Sequence, residues 1–466
     1  MAQWADVTFG RVFQDGDETL NSDSMTILEN GYKNQAGGFS RFPGLTNFSL
    51  FPSRRVYLHS TNNRLIAATE AGRVYDIAFD GKATDVTGVP VSGRNRVIFT
   101  DTDDEIAMAA GGPIISLNGP ITTLLSSKAP SATHVAYLLG YLIAAGSSGQ
   151  EFSFSNPGDF VTWDPLNVIS ANSKPSDLTA IQVSPYGEIM AAKRDAVEQF
   201  ETLPNGVQPF ARRWSTGEGI AYPYTLIADK TGTYGVTERF EFVRFTGQVS
   251  SDQSRDVGLQ IEGIDDWTDA WAQELAVRGQ KTIILQMPNA KNRYGTKGVT
   301  LLLDYRAQQW SQLFGWDSLL SVQTRFPAWS VARCWGKVFA GVPGGVAVFD
   351  EKNYTLAGAT YSFVMRTGHI AKFGPMRCDN FRLRLKRGND SYQGQPQARI
   401  AMRVNRDNLG FDRWMFEDMG RPGDSHMVID FGPQGEGNTM QFEIRITDDV
   451  PVEIVSAQMF VERLRW

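Results

Sequence analysis

The chain has 466 residues, 45 of them glycine, with 11% aromatic side chains and a formal net charge of −6. That charge excludes a general nucleic-acid binder with a basic face, though not a channel that DNA slides through without sticking. Glycine-rich turns between aromatic strands point to an all-β class. Cys334 and Cys378 lie far apart, forming neither a disulfide framework nor a metal cluster, which suits a reducing compartment. Met1 to Asp6 shows no basic stretch or apolar core, and no apolar run approaches the roughly 18 residues of a membrane span. The expectation is a soluble protein with no secretory signal and no membrane insertion.

Residues 1–45 are polar and glycine-rich. Trp4, Phe9, Val12, Phe13, Ile27 and Leu28 are nevertheless more apolar than a disordered tail needs. The segment reads as an N-terminal arm packed on the rest of the chain and ending at the turn signal Pro43-Gly44.

Residues 46–354 repeat one pattern. A short apolar run ends in small residues, a turn follows, and a second apolar run closes on a polar residue. The clearest copies begin at Leu65, Tyr141, Glu188 and Lys337, and looser ones near Ile106, Thr233 and Thr282. A spacing of roughly 36–55 residues is that of propeller blades, which predicts a β-propeller of about seven blades. The strands of an ordinary sandwich are the alternative. Small residues such as Ala67, Ala68, Ala109, Ala110, Ala144, Ala145, Ala191 and Ala192 fit the crowded inner strands near the axis. The copy near residues 282–305 is the weakest.

Two insertions stand out. Phe152 to Asn167 links two repeats; it contains the turn Asn156-Pro157-Gly158-Asp159, and Trp163 is placed to plug the space between blades. Asp265 to Ala276 is predicted to be helical. Trp267, Trp271 and Leu275 lie four apart on one face, and Asp265 or Asp266 caps the start. Packing on a blade is the expected role of this helix, rather than recognition.

Residues 355–466 mostly alternate, as in Phe381 to Leu385, Ala398 to Val404 and Phe442 to Ile446. These are half-solvated antiparallel strands, predicting a C-terminal β-sandwich. Arg382, Arg384, Arg399, Arg403 and Arg445 are expected on solvated faces in cross-strand pairs.

The sequence offers little chemistry. Gly432 to Asn438 lacks the lysine of a phosphate-binding loop and reads as a hairpin or loop tip. His59, His134, His369 and His426 show no metal-ligand spacing. Asp101 to Glu105 is an acidic run without the glycine and closing glutamate of a calcium loop, and reads as a solvated turn. No nucleophile elbow is visible. No catalytic, cofactor-binding or metal-binding residue is assigned.

Several motifs, in order, carry a family resemblance. They are Gly38-Phe39-Ser40-Arg41-Phe42-Pro43-Gly44-Leu45; Ser153 to Pro165 followed by Ala171 and Asp177; Glu198-Gln199-Phe200; Phe245-Thr246-Gly247-Gln248-Val249-Ser250; and Val404 to Phe411. Together they resemble the packaged-DNA stabilisation, or tail hub, proteins of short-tailed bacteriophages such as the Salmonella podophage. Residues 280–330 match only in texture.

The resemblance implies a non-enzymatic virion protein of the phage tail, assembled in the host cytoplasm. It implies a homo-oligomeric ring, a hexamer, below the portal and adaptor rings. That ring would extend the DNA channel without sequence specificity, hold packaged DNA, and anchor the tail needle and the tail spikes or fibres. No catalytic residue or cofactor comes with it. The alternatives are a propeller enzyme that degrades polysaccharide at a phage tail, with carboxylates converging at the propeller mouth, and a monomeric propeller binding module.

Overall fold

The computed structural model describes residues 2–12, 24–146, 148–203, 208–359, 361–388, 398–423 and 426–464. Phe13 lies outside the described residues.

Five consecutive four-stranded antiparallel sheets run from Val56 to Asp252. A sixth contains Trp271–Val277, Gln280–Lys291, Lys297–Asp304 and Gln309–Gln312. A seventh contains Ser330–Cys334, Lys337–Val342 and Gly345–Asp350, completed by Gly44–Leu50 from the start of the chain. These are the seven blades of a β-propeller, and each repeat begins its sheet's second strand, the weak copy at Thr282 included. The last blade borrows its outer strand from the N-terminal side, which closes the ring with main-chain hydrogen bonds. Its fit is close: a Cβ on Gly345, whose φ is +141, would lie 2.1 Å from the Ser49 carbonyl oxygen.

The repeated alanines sit on the second strands, not on the innermost ones. They are buried because neighbouring blades converge there. Ala67 packs with Phe339 and Val346 of the seventh blade. Ala68, on the opposite face of the strand, packs with Ile106 and Met108 of the second. Strand alternation gives one residue to each neighbour, and a larger side chain would overpack the gap at a cost of about 1–3 kcal/mol. Trp163 is buried with Phe160, Ala107 and Leu142, between the second and third blades as expected.

The predicted helix over 265–276 is not formed. A short α-helix forms instead at Gly258–Glu262, and Trp271–Val277 is the inner strand of the sixth blade. Residues four apart share a face in a helix and also in a strand, so the Trp271–Leu275 spacing fits both. Neither aspartate caps a helix. Asp265 accepts from the Lys291 amide at 2.9 Å and Asp266 from the Thr268 amide at 2.8 Å.

The C-terminal residues form a β-sandwich. One sheet has Val452–Arg463 and Met376–Arg387 at its centre. The other pairs Phe363–Thr367, Met440–Ile446, Arg399–Arg406 and Met415–Asp418. The sheets meet over Phe381 and Phe442, stacked with centroids 4.2 Å apart, together with Met402, Ile444 and Met459. Three of the five arginines pair across strands in register: Arg382 with Asp430 at 2.7 Å, Arg399 with Asp418 at 3.4 Å and Arg403 with Glu443 at 2.6 Å; Arg384 instead stands opposite Val428 and Ser456, and Arg445 opposite Val364 and Ala401, with its guanidinium 5.7 Å from the Trp414 ring. Gly435–Gly437 is not a free loop tip but a short strand along Met376–Cys378.

Strands from the first 45 residues belong to this sandwich. Ala2–Val7 lies along Val452–Arg463. Met25–Glu29 lies between the sandwich strand Phe363–Thr367 and the outer strand of the sixth blade, making blade and sandwich one nine-stranded sheet.

Candidate functional surfaces

The inner strands of all seven blades surround an axial cavity of about 660 Å³. Its polar residues clasp one blade to the next. His59 Nε2 lies 2.7 Å from Asp101 Oδ1, joining the first and second blades. Tyr137 donates to Asp103, joining the second and third. Gln182 Oε1 accepts the Ala228 amide at 2.9 Å, Gln273 Oε1 accepts the Val331 amide at 2.9 Å, and Ser330 Oγ accepts the Leu58 amide at 2.9 Å. Thus the acidic run Asp101 to Glu105 is a turn between blade strands, with two of its carboxylates holding neighbouring blades.

Arg96 bridges the axis itself. Its guanidinium lies over the rings of Tyr57 at 5.1 Å and Trp271 at 4.6 Å. It donates to the Trp329 carbonyl at 2.6 Å and to Gln273 Oε1 at 3.3 Å. Arg96 enters the second blade and Gln273 belongs to the sixth, so the contact crosses the opening. Desolvation among the rings lowers its pKa to about 10. His134, buried and stacked on Tyr224 at 5.4 Å, is lowered to about 4 by burial and stays neutral at physiological pH. Pockets that take small molecules measure about 300–1,000 Å³. This one has that size but is bridged, and a duplex does not fit.

A second polar constellation joins arm, propeller and sandwich. Arg41 is fully buried; its guanidinium donates to the carbonyls of Tyr354, at 3.1 Å, and Tyr361, and to those of Asp448 and Val450, the last at 3.3 Å. The next residue, Phe42, points the other way, into the core beside Phe326 and Phe349. Asn30 Nδ2 donates to the Ser362 carbonyl at 2.7 Å, while its Oδ1 accepts the Phe314 amide at 2.8 Å. A Cβ on Gly31 would lie 2.2 Å from the Phe363 ring, so only glycine lets the strands approach. Buried Glu29 takes the Tyr294 hydroxyl at 2.8 Å and pairs with Arg293 of the sixth blade. Buried Glu443 sits between Arg366 and Arg403. The sequence pointed to Arg41 only as part of a motif. Its role as a four-carbonyl bolt depends on Tyr354, Tyr361 and Asp448, which only the fold brings near.

Among the described residues, no three His, Cys, Asp or Glu side chains converge to hold a metal. The histidines do not converge: His59 and His134 line the axial cavity on different blades, whereas His369 and His426 belong to the sandwich portion of the chain. Both cysteines are buried and free.

A closed seven-bladed body, bolted to a sandwich by its own N-terminal strands, is the class of a propeller scaffold protein. Residues 24–342 match the family described as bacteriophage P22 Gp10, β-propeller, and the chain belongs to this phage-stabilisation family. Its members are phage structural proteins that stabilise packaged DNA, which makes the chain a virion component. No curated protein matches. Among solved structures, the chain is similar to the extracellular domain of the hybrid two-component system BT4673 from B. thetaiotaomicron, with 11% identity over 83% of this chain and a TM-score of 0.45. It spans 47% of that protein's length. It is also similar to BamB from Moraxella catarrhalis, with 12% identity over 74% of this chain and 99% of that one and a TM-score of 0.38. The WD40 propeller domain of Doa1 has 9% identity over 66% of this chain and 95% of that one, with a TM-score of 0.39.

Proposed function

We propose that the chain acts as a tail hub: several copies form a ring below the portal and adaptor rings, extend the DNA channel, retain packaged DNA and anchor the tail needle and the spikes or fibres. The observation that carries this reading is the bridged propeller axis. A family that stabilises packaged DNA needs a path for DNA, and a cavity of about 660 Å³ crossed by Arg96 does not provide one. The path therefore lies between copies, which calls for a closed ring with head-to-tail interfaces. Stiffness favours the same role. Blade-to-blade bonds, the borrowed closing strand and the Arg41 bolt resist the load that confined DNA places on a wall. A net charge of −6 suits a lumen that releases DNA. In this reading, the polar residues of the propeller mouth are structural clasps and the working surfaces are the outer ones.

The test is DNA retention. Capsids packaged without this chain are expected to leak nuclease-sensitive DNA, and adding the purified protein should restore protection. Equal protection with and without it would sink the proposal.

A further inference from the structure

Residues 264–270, with Trp267 among aspartates, form a link into the sixth blade and wall a pocket of about 520 Å³. The pocket opens at the end of the propeller where one blade passes to the next. Tyr222 comes from the link into the fifth blade, and Phe240 from the turn between that blade's second and third strands. Trp267 stacks on Tyr222 with ring centroids 4.7 Å apart and on Phe240 at 5.8 Å, which makes one wall aromatic. The link is tied down. Besides the two aspartate–amide bonds, Asn289 Nδ2 donates to the Thr268 carbonyl at 2.9 Å, and the Ala270 amide donates to the Trp267 carbonyl at 3.0 Å. A site held in this way loses little freedom on binding.

Asp265, Asp266 and Asp269 line the same pocket, and no lysine, arginine or histidine lines it. Asp269 pairs with Arg55 at 2.8 Å, whereas Asp265 and Asp266 form no ion pair among the described residues. Hydrogen bonds from Thr268, and to a lesser degree the charge of Lys297, hold the Asp266 carboxyl below its ordinary value, so it is ionised at neutral pH. Arg194, near Tyr222, is engaged by Glu238 at 3.6 Å. Trp267 is 8% exposed, and its indole N–H has no acceptor among the described residues.

Elsewhere the chain fills the same constellation with its own arginines. Arg55 lies over Trp329 at 4.5 Å and pairs with Asp269. Arg382 lies over Trp4 at 4.3 Å and pairs with Asp430, and Arg403 lies over Trp414 at 4.4 Å and pairs with Glu443. The pocket at Trp267 has the rings and the carboxylates but lacks the cation.

We infer that this pocket binds the guanidinium of an arginine presented by a partner chain, seated against the Tyr222, Phe240 and Trp267 rings and paired with Asp265 and Asp266. A planar guanidinium stacks on rings while its N–H fork serves carboxylates, which a compact ammonium does less well. One guanidinium fills only part of about 520 Å³, which leaves room for the backbone that carries it. A carbonyl of that backbone supplies the acceptor that the Trp267 N–H lacks. The inference goes beyond the hub reading and does not depend on the number of copies in a ring.

The test is a saturation-transfer NMR titration of the full chain with the peptide acetyl-Gly-Arg-Gly-amide at low salt. Binding should saturate with a Kd on the order of 1 mM, and the same peptide with citrulline in place of arginine should bind at least about tenfold more weakly. Asp265→Asn with Asp266→Asn keeps both amide acceptors, so melting should be unchanged while the Kd rises at least about tenfold. Tyr222→Leu should also weaken binding. Glu417→Gln with Glu436→Gln removes the same charge from the sandwich and should leave the Kd unchanged. Equal binding of the citrulline peptide, an unchanged Kd in the Asp265/Asp266 variant, or a pocket that takes maltotriose and not the arginine peptide would overturn the inference. Each of these results would leave the hub reading standing, because none depends on ring formation.

Discussion

Replacing Arg41 with methionine should separate the propeller from the sandwich energetically. The guanidinium makes four charge-assisted hydrogen bonds to carbonyls from both sides of the junction, and it lies over the rings of Tyr354 at 5.2 Å and Tyr361 at 6.0 Å. Each such bond contributes about 1.5–3 kcal/mol net. Opposing them is the cost of burying the charge. Burial outweighs the attraction of Tyr361, Asp449, Tyr354 and Asp448 and depresses the Arg41 pKa to about 10 from 12.5. Methionine fills part of the space but leaves four carbonyls without their donor. The expected net loss is about 3–5 kcal/mol, the cost of buried carbonyls left without a donor, at about 1–3 kcal/mol each, less the desolvation cost removed with the charge. For a chain of this length, ΔS near the melting temperature is about 1 kcal/mol per kelvin, so a single cooperative unit would melt roughly 3–5 °C lower. Calorimetry with limited proteolysis reads both effects. The sandwich transition should separate from that of the propeller, with early cleavage between residues 350 and 362. Arg41→Lys should behave similarly, because one ammonium cannot span four acceptors. A loss below about 1 kcal/mol, with one undivided transition, would refute the bolt.

Other perturbations follow from the same contacts. Burial holds His134 near pKa 4 against an ordinary 6.5, so its neutral form stabilises the fold fully above about pH 6.5 and less as pH falls toward 4. Stability should drop by about 2 kcal/mol between pH 7.5 and pH 5 through this group, and His134→Phe should flatten that part of a pH–melting profile; an unchanged profile would count against it. Gly345→Ala should cost about 2–3 kcal/mol, because a Cβ there meets the Ser49 carbonyl at 2.1 Å at a backbone angle unsuited to alanine. The released closing strand should appear as rapid amide exchange confined to Gly44–Leu50 and the seventh blade, and uniform exchange would contradict the closure. Glu443→Gln should cost about 2–4 kcal/mol by leaving Arg366 and Arg403 without their shared carboxylate, read by urea denaturation, whereas a neutral result would mean solvent already screens the pair.

The blades were legible because each second strand repeats a buried, small-residue pattern that neighbouring sheets impose. Even the weakest copy, at Thr282, falls on a complete blade. The sandwich and its arginine ladders were legible from strict alternation, as the Arg382–Asp430 and Arg403–Glu443 pairs bear out. Trp271 and Leu275 misled because a spacing of four is common to both periodicities, and no neighbouring residue breaks the tie. The alanines were placed one strand too far inward, since crowding reflects where blades converge and not only the axis. What stayed hidden was long-range. Nothing local shows that Gly44–Leu50 completes a blade whose other strands lie some 300 residues later, or that Arg41 meets carbonyls near residues 354, 361 and 448. Nor does composition show that Arg96 crosses the axial opening, a fact that redirects attention from the propeller mouth to its outer faces.

The most direct measurement of the central claim is an electron-microscopic reconstruction of the full-length protein on purified portal–adaptor complexes. The account predicts a closed ring of copies around one central channel, with every propeller axis off the symmetry axis and free of DNA. A single copy beneath the complex, or DNA density threading a propeller axis past Arg96, would contradict it.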